Sequence, residues 1–401
     1  MGVSWRHNHS LIVFFLILYL SSSYVVTNDL ISSGFTTFLW FFSFIWALIL
    51  PRKNTAQSTL FPFILLILLF LLSSIFNGEP IRALYLHLFT FTTGFVFAYK
   101  VGFEDFKVLY TKVMYLICMI SIFFYLLFLL FPFLNSFNTV TNAVGNVASN
   151  LYLYISLHPG LRNCGLFWEP GAFQTFIAIA LLFSLSKTII DRKEIVVLVV
   201  SMITTFSTTG FVALIVLFAI YILSTSNIKQ KSSAVFAVIL CAGAFIYFAY
   251  DLLFDASGSF GKLLAFQERG GADSDTFDTV SVRYFSFILP IQAFLSSPLW
   301  GVGYDGLVKY SFDFTRGMNT CTMINWFAVY GLFWGVIMLI GFIRLSKCLG
   351  SNYISRFLIF VLFFIITCSE NYVNNPIILM LALYGYSLMS HKKKIVSRSA
   401  V

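Results

Sequence analysis

Long apolar runs, recurring from one end of the chain to the other, constrain this sequence more than any other feature. Each is long enough to cross roughly 30 Å of hydrocarbon as a helix. Membrane-spanning strands alternate apolar and polar residues over about ten positions, and these runs do not. Of the residues, 59% are hydrophobic and only 10% charged, against about a quarter charged in soluble domains. A water-soluble fold cannot hide that much apolar surface. The expected fold class is all-α: a polytopic integral membrane protein with about twelve transmembrane helices, one transmembrane domain over residues 1–401.

Charge orients the runs. With Arg6 placed in the cytoplasm, successive connections alternate between basic and base-poor. The basic ones hold Arg52 and Lys53; Lys100, Lys107 and Lys112; Lys187, Arg192 and Lys193; Lys229 and Lys231; Arg344, Lys347 and Arg356; and the Lys392–Lys394 tail with Arg398. Most of the 25 Lys and Arg thus lie on one face, as the positive-inside rule expects. The +9 net charge is a topology signal, and no nucleic-acid partner is implied. The first run, Leu11 to Val26, lacks a following small-x-small cleavage site, so it reads as a retained helix.

Expected spans lie near 9–27, 35–50, 60–76, 83–99, 113–134, 170–187, 195–207, 209–225, 233–251, 321–343, 355–369 and 376–390, with both termini inside. The stretch Ile195–Ser224 has basic clusters on both flanks, so it must return to the face it left. Two short helices turning near Ser207-Thr208-Thr209-Gly210 satisfy this, and so does a re-entrant hairpin. Two long external connections remain: a polar, Asn-rich loop over 135–169 and a larger one over 252–320.

Candidate chemistry gathers in the external segments. Arg162 to Gly171 runs straight into a helix, with Pro170 suited to its first turn and Glu169 at its N-cap. A capping carboxylate beside an interfacial arginine explains this pattern; so does a pair lining an external cavity. Arg283, followed by Tyr284, precedes an apolar stretch, Phe285 to Phe294, read as an interfacial helix ended by the glycine turn Gly301-x-Gly303. Arg283 either snorkels to lipid headgroups or offers a guanidinium fork to phosphate. Glu370, between the last two spans, and Asn319 to Asn325, at the start of a helix, are the remaining polar candidates; His158 and His87 read as structural. Six cysteines without CxxC or CxxH spacing indicate neither a metal site nor a disulfide framework, and no cofactor fingerprint is found.

These segments carry a resemblance. Arg162 to Phe173 is similar to the Arg-x-x-Gly-x-Phe-x-Glu-Pro-Gly signature of the O-antigen ligase and polymerase superfamily. Ser281-x-Arg283 with Pro298-Leu299-x-Gly301-x-Gly303 resembles its second external arginine motif, and Ser207 to Gly210 its short hairpin. Within that superfamily the chain most resembles Wzy-type O-antigen polymerases. Ligases carry a His-Asn pair before the glycine that Gly331 matches, and Asn319-Thr320-Cys321 stands there instead.

The resemblance implies a glycosyltransferase-C-like fold in the bacterial inner membrane. It implies transfer of undecaprenyl-diphosphate-linked glycan onto a new lipid-linked repeat unit at the periplasmic face, among membrane lipids and with a chain-length regulator as partner. Arg162 and Arg283 would then stabilise the leaving diphosphate, and Glu169 would accept the acceptor hydroxyl's proton. Tyr284, Asn319 and Glu370 would bind substrate, without a metal. The rival readings are an O-antigen ligase and a flippase for lipid-linked oligosaccharide; a flippase calls for charge within the spans, which are nearly free of it.

The orientation is directly testable. A cysteine at position 257 in place of Ser257 is expected to react with an impermeant maleimide in intact cells, and one in place of Ser397 only after permeabilisation. The reverse pattern overturns the topology.

Overall fold

The computed structural model describes residues 2–51, 57–141, 147–157, 162–187, 190–224, 279–315 and 319–398. The expected span at 233–251 and residues 252–278 of the large loop lie outside them. The chain is mostly helical. In order, the helices among the described residues are α1 Gly2–Ser22, α2 Tyr24–Thr27, α3 Ser33–Ile49, α4 Leu60–Phe76, α5 Ile81–Lys100, α6 Phe103–Leu130, α7 Pro170–Leu185, α8 Arg192–Thr204, α9 Thr208–Ser224, α10 Thr279–Ser296, α11 Tyr304–Thr315, α12 Thr322–Leu349, α13 Tyr353–Thr367 and α14 Pro376–Arg398. Among the described residues, α5, α6 and α12 are long and apolar enough to cross a membrane, and several shorter apolar helices accompany them. Their outer faces are apolar too: Phe61, Ile75 and Ile81 are 76%, 71% and 72% exposed. Such faces suit lipid rather than water.

At the centre stand α7 and α14. From Ala172 to Ser184 every residue of α7 is buried, and so is every residue of α14 from Ile377 to Tyr384. A helix apolar all round belongs in the interior, and both sequences are of that kind. Short connections lie at one end of the bundle after Lys100, leading into α6, and after Leu349, where α12 turns back against α13. There the flanking bases find carbonyls at helix ends, which such side chains commonly satisfy. Lys100 Nζ donates to Leu48 O at 2.8 Å, and Arg356 Nε to Gly350 O at 3.1 Å.

The hairpin expected over 195–225 is present as α8 and α9, with the turn at residues 205–207. Helix α8 is short, at 13 residues. A helix of that length rises only about 20 Å, less than a bilayer core. Several boundaries move: α1 begins at Gly2, ahead of the expected 9, α12 runs on to Leu349 and α14 to Arg398, past the expected 343 and 390, and α6 moves at both ends. Helix α6 begins at Phe103, ahead of the expected 113. The cause is its charged first turn, where Glu104 and Asp105 suit a helix N-terminus. Glu104 also pairs with Lys107 at 2.8 Å. The helix ends at Leu130, just before Pro132, whose ring disfavours helical backbone in the residue ahead of it.

The all-α expectation needs one correction. The connection between α6 and α7 carries a three-stranded antiparallel sheet of β1 Thr139–Thr141, β2 Val147–Asn150 and β3 Ile155–Leu157. Its buried side chains Ala148 and Ile155 pack with Tyr24, just past the end of α1. Short strands rich in Val, Thr and Ile fit a half-buried pleated surface, a signal too brief to outweigh the helical runs around it.

The bundle's most constrained point is a break in α12. Gly331 leaves the helical region (φ 82°, ψ −179°), and the chain over 298–303 fills the gap. Val302 N donates to Ala328 O (2.8 Å), Gly303 N to Val329 O (3.2 Å) and Leu332 N to Pro298 O (2.8 Å). From α4, Ser73 Oγ reaches Trp300 O at 2.7 Å and Val329 O at 3.1 Å. A Cβ at Gly331 would strike Leu299 O, and one at Gly301 would strike Val329 O.

Gly331→Ala is therefore expected to cost about 1–3 kcal/mol from backbone strain alone, with the steric clash in addition. Gly34, with open space around it, should accept Ala almost silently. Thermal unfolding in detergent measures the difference; equal melting of the two variants would show that the break imposes no constraint.

Candidate functional site

The segment from Arg162 to Glu169 is an irregular strip, turning at Gly165-Leu166, that is sewn down by its own backbone. Tyr24 N donates to Leu166 O (2.9 Å), Ile155 N to Gly165 O (2.7 Å) and Asn163 N to Thr204 O (2.9 Å). The fully buried Asn163 side chain adds bonds to Ser121 Oγ (3.1 Å), Thr204 Oγ1 (3.0 Å) and Gly165 N (2.9 Å). The strip therefore ties α2, the small sheet, α6 and the α8–α9 turn together, and it delivers Trp168 and Glu169 to the mouth of α7.

Glu169 occupies the N-cap position of α7, with Pro170 at the first helical position as expected. Its side chain makes no capping bond. It is exposed and lines a cavity of about 1490 Å³ at the end of the bundle opposite the basic connections. The helix presents this carboxylate to the cavity without using it.

Glu370 lines the same cavity, 202 residues from Trp168 in sequence, and is 8% exposed. Thr322 Oγ1 fixes the chain on both sides of it, donating to Glu370 O (2.7 Å) and accepting from Tyr372 N (2.7 Å). Trp168 Nε1 donates to Glu370 Oε2 at 3.4 Å, and Glu370 Oε1 fills the space where a Cβ on Gly171 would stand. The glycine after Pro170 is thus explained by a neighbour from the far end of the chain. Asn319 is also at the wall, 1% exposed, its Nδ2 bound to Ser311 Oγ (2.7 Å).

The remaining predicted residues are placed elsewhere. Arg162 is exposed, outside the cavity lining, and its Nε donates to Thr205 O at 3.1 Å. It holds the hairpin turn. Tyr284, on α10, is 54% exposed and outside the lining. The backbone of Arg283 belongs to α10; its side chain, like His158, lies outside the described residues.

Three lining residues escaped the sequence reading. Arg82 lies in the first turn of α5. Asp29 lies just after α2. His87, read as structural, lines the cavity and bonds through Nε2 to Asn374 Nδ2 (3.1 Å), while Tyr330 OH donates to Asn374 Oδ1. Beneath His87, Glu79 accepts from Asp305 N (3.2 Å). Burial raises the Glu79 carboxyl above the usual range, because a low-polarity setting disfavours its charged form. Among the described residues, no three His, Cys, Asp or Glu side chains are grouped to hold a metal.

The cavity therefore combines three carboxylates, Asp29 and Glu169 exposed and Glu370 fixed, with an arginine, several amides and aromatic walls. That set can hold a hydroxyl-rich, partly apolar ligand and take a proton from it. No known family model matches this chain, and neither does any curated protein.

Asn163→Ala is expected to destabilise the protein by about 1–3 kcal/mol, because buried partners lose their bonds. Arg162→Ala, losing an exposed contact, should cost less. A thermal-shift series in detergent compares them, and an Asn163→Ala protein as stable as wild type would remove the strip's anchoring role.

Proposed function

We propose that this chain is a polytopic, inner-membrane glycosyltransferase of the O-antigen polymerase type. In this reading twelve spans, glycosyltransferase-C-like, place the cavity at the periplasmic face. The enzyme moves a glycan from undecaprenyl diphosphate onto the sugar of a new lipid-linked repeat unit. The observation that carries the reading is Glu169: an N-cap carboxylate that leaves its helix uncapped and faces a large cavity.

Glu169 acts as general base, taking the proton of the acceptor hydroxyl as that oxygen attacks the anomeric carbon. The bond from that carbon to the diphosphate breaks, and the lipid diphosphate leaves with the electron pair. Glu370, held by Trp168 and Thr322, orients the acceptor by accepting from a second hydroxyl. The amides of Asn319 and Asn371, both at the wall, suit neutral sugar hydroxyls.

Glu169→Gln separates catalysis from architecture, because it keeps the side chain's shape and removes the base. At unchanged membrane abundance it should lower polymer formation by about 10²–10⁴-fold. A gel of cell-surface lipopolysaccharide reads the result: loss of a polymerase leaves core plus one repeat, loss of a ligase bare core, and loss of a flippase no surface repeat. Normal polymer from the Gln variant would move the base to Glu370.

A further inference from the structure

Two thiols meet beside Glu370. Cys321 is the N-cap residue of α12 and Cys368 the C-cap residue of α13. Their side chains share a thiol–thiol hydrogen bond, and Cys368 accepts another from the backbone N–H of Met323, in the first turn of α12. Cys321 is fully buried and Cys368 partly exposed. Residues 322–367 separate the two, so their spacing in the chain does not announce a pair.

The contact falls on a seam that is already tied. Next to Cys321, Thr322 Oγ1 donates to Glu370 O and accepts from Tyr372 N, both at 2.7 Å. Next to Cys368, Ser369 Oγ lies 3.0 Å from Thr175 Oγ1 on α7. The backbone of both cysteines is anchored as well: Asn325 N donates to Cys321 O at 2.9 Å, and Cys368 N to Phe364 O at 3.0 Å. A disulfide needs Cβ atoms about 4 Å apart and sulfurs about 2 Å apart. Two thiols already in contact, on backbone anchored at both residues, approach that geometry by side-chain rotation. A buried thiol usually acts as a small apolar filler. This pair differs in that the thiols meet each other, and their chain neighbours Thr320 and Ser369 line the cavity.

We propose that Cys321 and Cys368 form a disulfide that locks the connection carrying Glu370 to the start of α12. The inference rests on the part of the transferase reading that places the cavity outside the cytoplasm, since cytosolic thiols are kept reduced. The chemistry is exchange with a disulfide oxidant of that compartment. The partly exposed Cys368, as thiolate, attacks one sulfur of the oxidant's disulfide, and the oxidant's other sulfur leaves as a thiolate. The Cys321 thiolate then attacks Cys368 Sγ in the mixed disulfide and displaces the oxidant's remaining sulfur. The two protons given up by the protein's thiols end on the oxidant's, and two electrons pass to it. The bridge adds a covalent tie to the hydrogen bonds of Thr322. It makes the position of Glu370 depend on the redox state of the compartment.

The test begins with bacteria expressing the full chain, quenched in acid. Free thiols are blocked with N-ethylmaleimide under denaturing conditions; disulfides are then reduced and labelled with a polyethylene-glycol maleimide. Wild type should shift on a gel by two labels, and peptide mass spectrometry should place them at Cys321 and Cys368. Cys321→Ser and Cys368→Ser should each lose both labels, because the surviving partner is blocked at the first step. Cys348→Ser, near the far end of α12, should keep both. In the purified protein, reduction should raise deuterium uptake over 369–375 severalfold in wild type and leave the double Ser variant unchanged. No label on wild type from cells, and none after the purified protein is treated with oxidised glutathione, overturns the pairing and leaves the transferase reading standing. Label that appears only after that treatment overturns the bridge in the cell, and with it the external placement of the cavity. Deuterium uptake that does not change when a bridged protein is reduced overturns the lock on Glu370.

Discussion

Breaking a helix inside an apolar bundle frees carbonyl groups that neither water nor lipid can satisfy. The break at Gly331 in α12 meets that demand with backbone from elsewhere in the chain. Val302 and Gly303 supply N–H groups to Ala328 and Val329, and Ser73 adds a hydroxyl. Because the partners are main-chain atoms at close approach, Gly301 and Gly331 cannot carry side chains. The same seam sets where α11 starts, and so where Tyr304, Thr315 and Asn319 enter the cavity wall. The glycine motif after α10 is thus a structural splice on which one side of the cavity depends.

A second splice holds the opposite side. The Asn163–Phe167 strip has little regular structure of its own, yet its backbone is bonded to α2, to the sheet and to the α8–α9 turn. Within one motif the residues divide their labour. Arg162 and Asn163 grip the hairpin, while Trp168 and Glu169 face the cavity. Such a division lets the acid sit at the N-cap of α7 without capping it, where a less rigid segment would let it fold back onto the helix.

Helix existence was legible because apolar runs and flanking charge act locally: α4 spans the expected 60–76, and α7, α12, α13 and α14 begin within two residues of expectation. The hairpin was legible from its two basic flanks, which call for a return to the same face; its turn falls at 205–207, just ahead of the expected Ser207 to Gly210. The start of α6 was not, because charged first turns look like loop when hydropathy alone is read. Nor was the small sheet, whose strands of three or four residues carry too little pattern.

The candidate site divides along the same line. Glu169, Glu370 and Asn319 were visible as polar residues in an apolar chain, while Arg82 went unnoticed. What composition and periodicity determined was most of the long apolar helices and the end of the bundle where polar groups collect. Which of those groups share a cavity was decided only by tertiary packing. Trp168 meets Glu370 across 202 residues because Thr322, at the start of α12, pins the last interhelical connection. Contacts of that range depend on how helices pack around Gly171 and Gly331, and packing geometry leaves no period in a sequence.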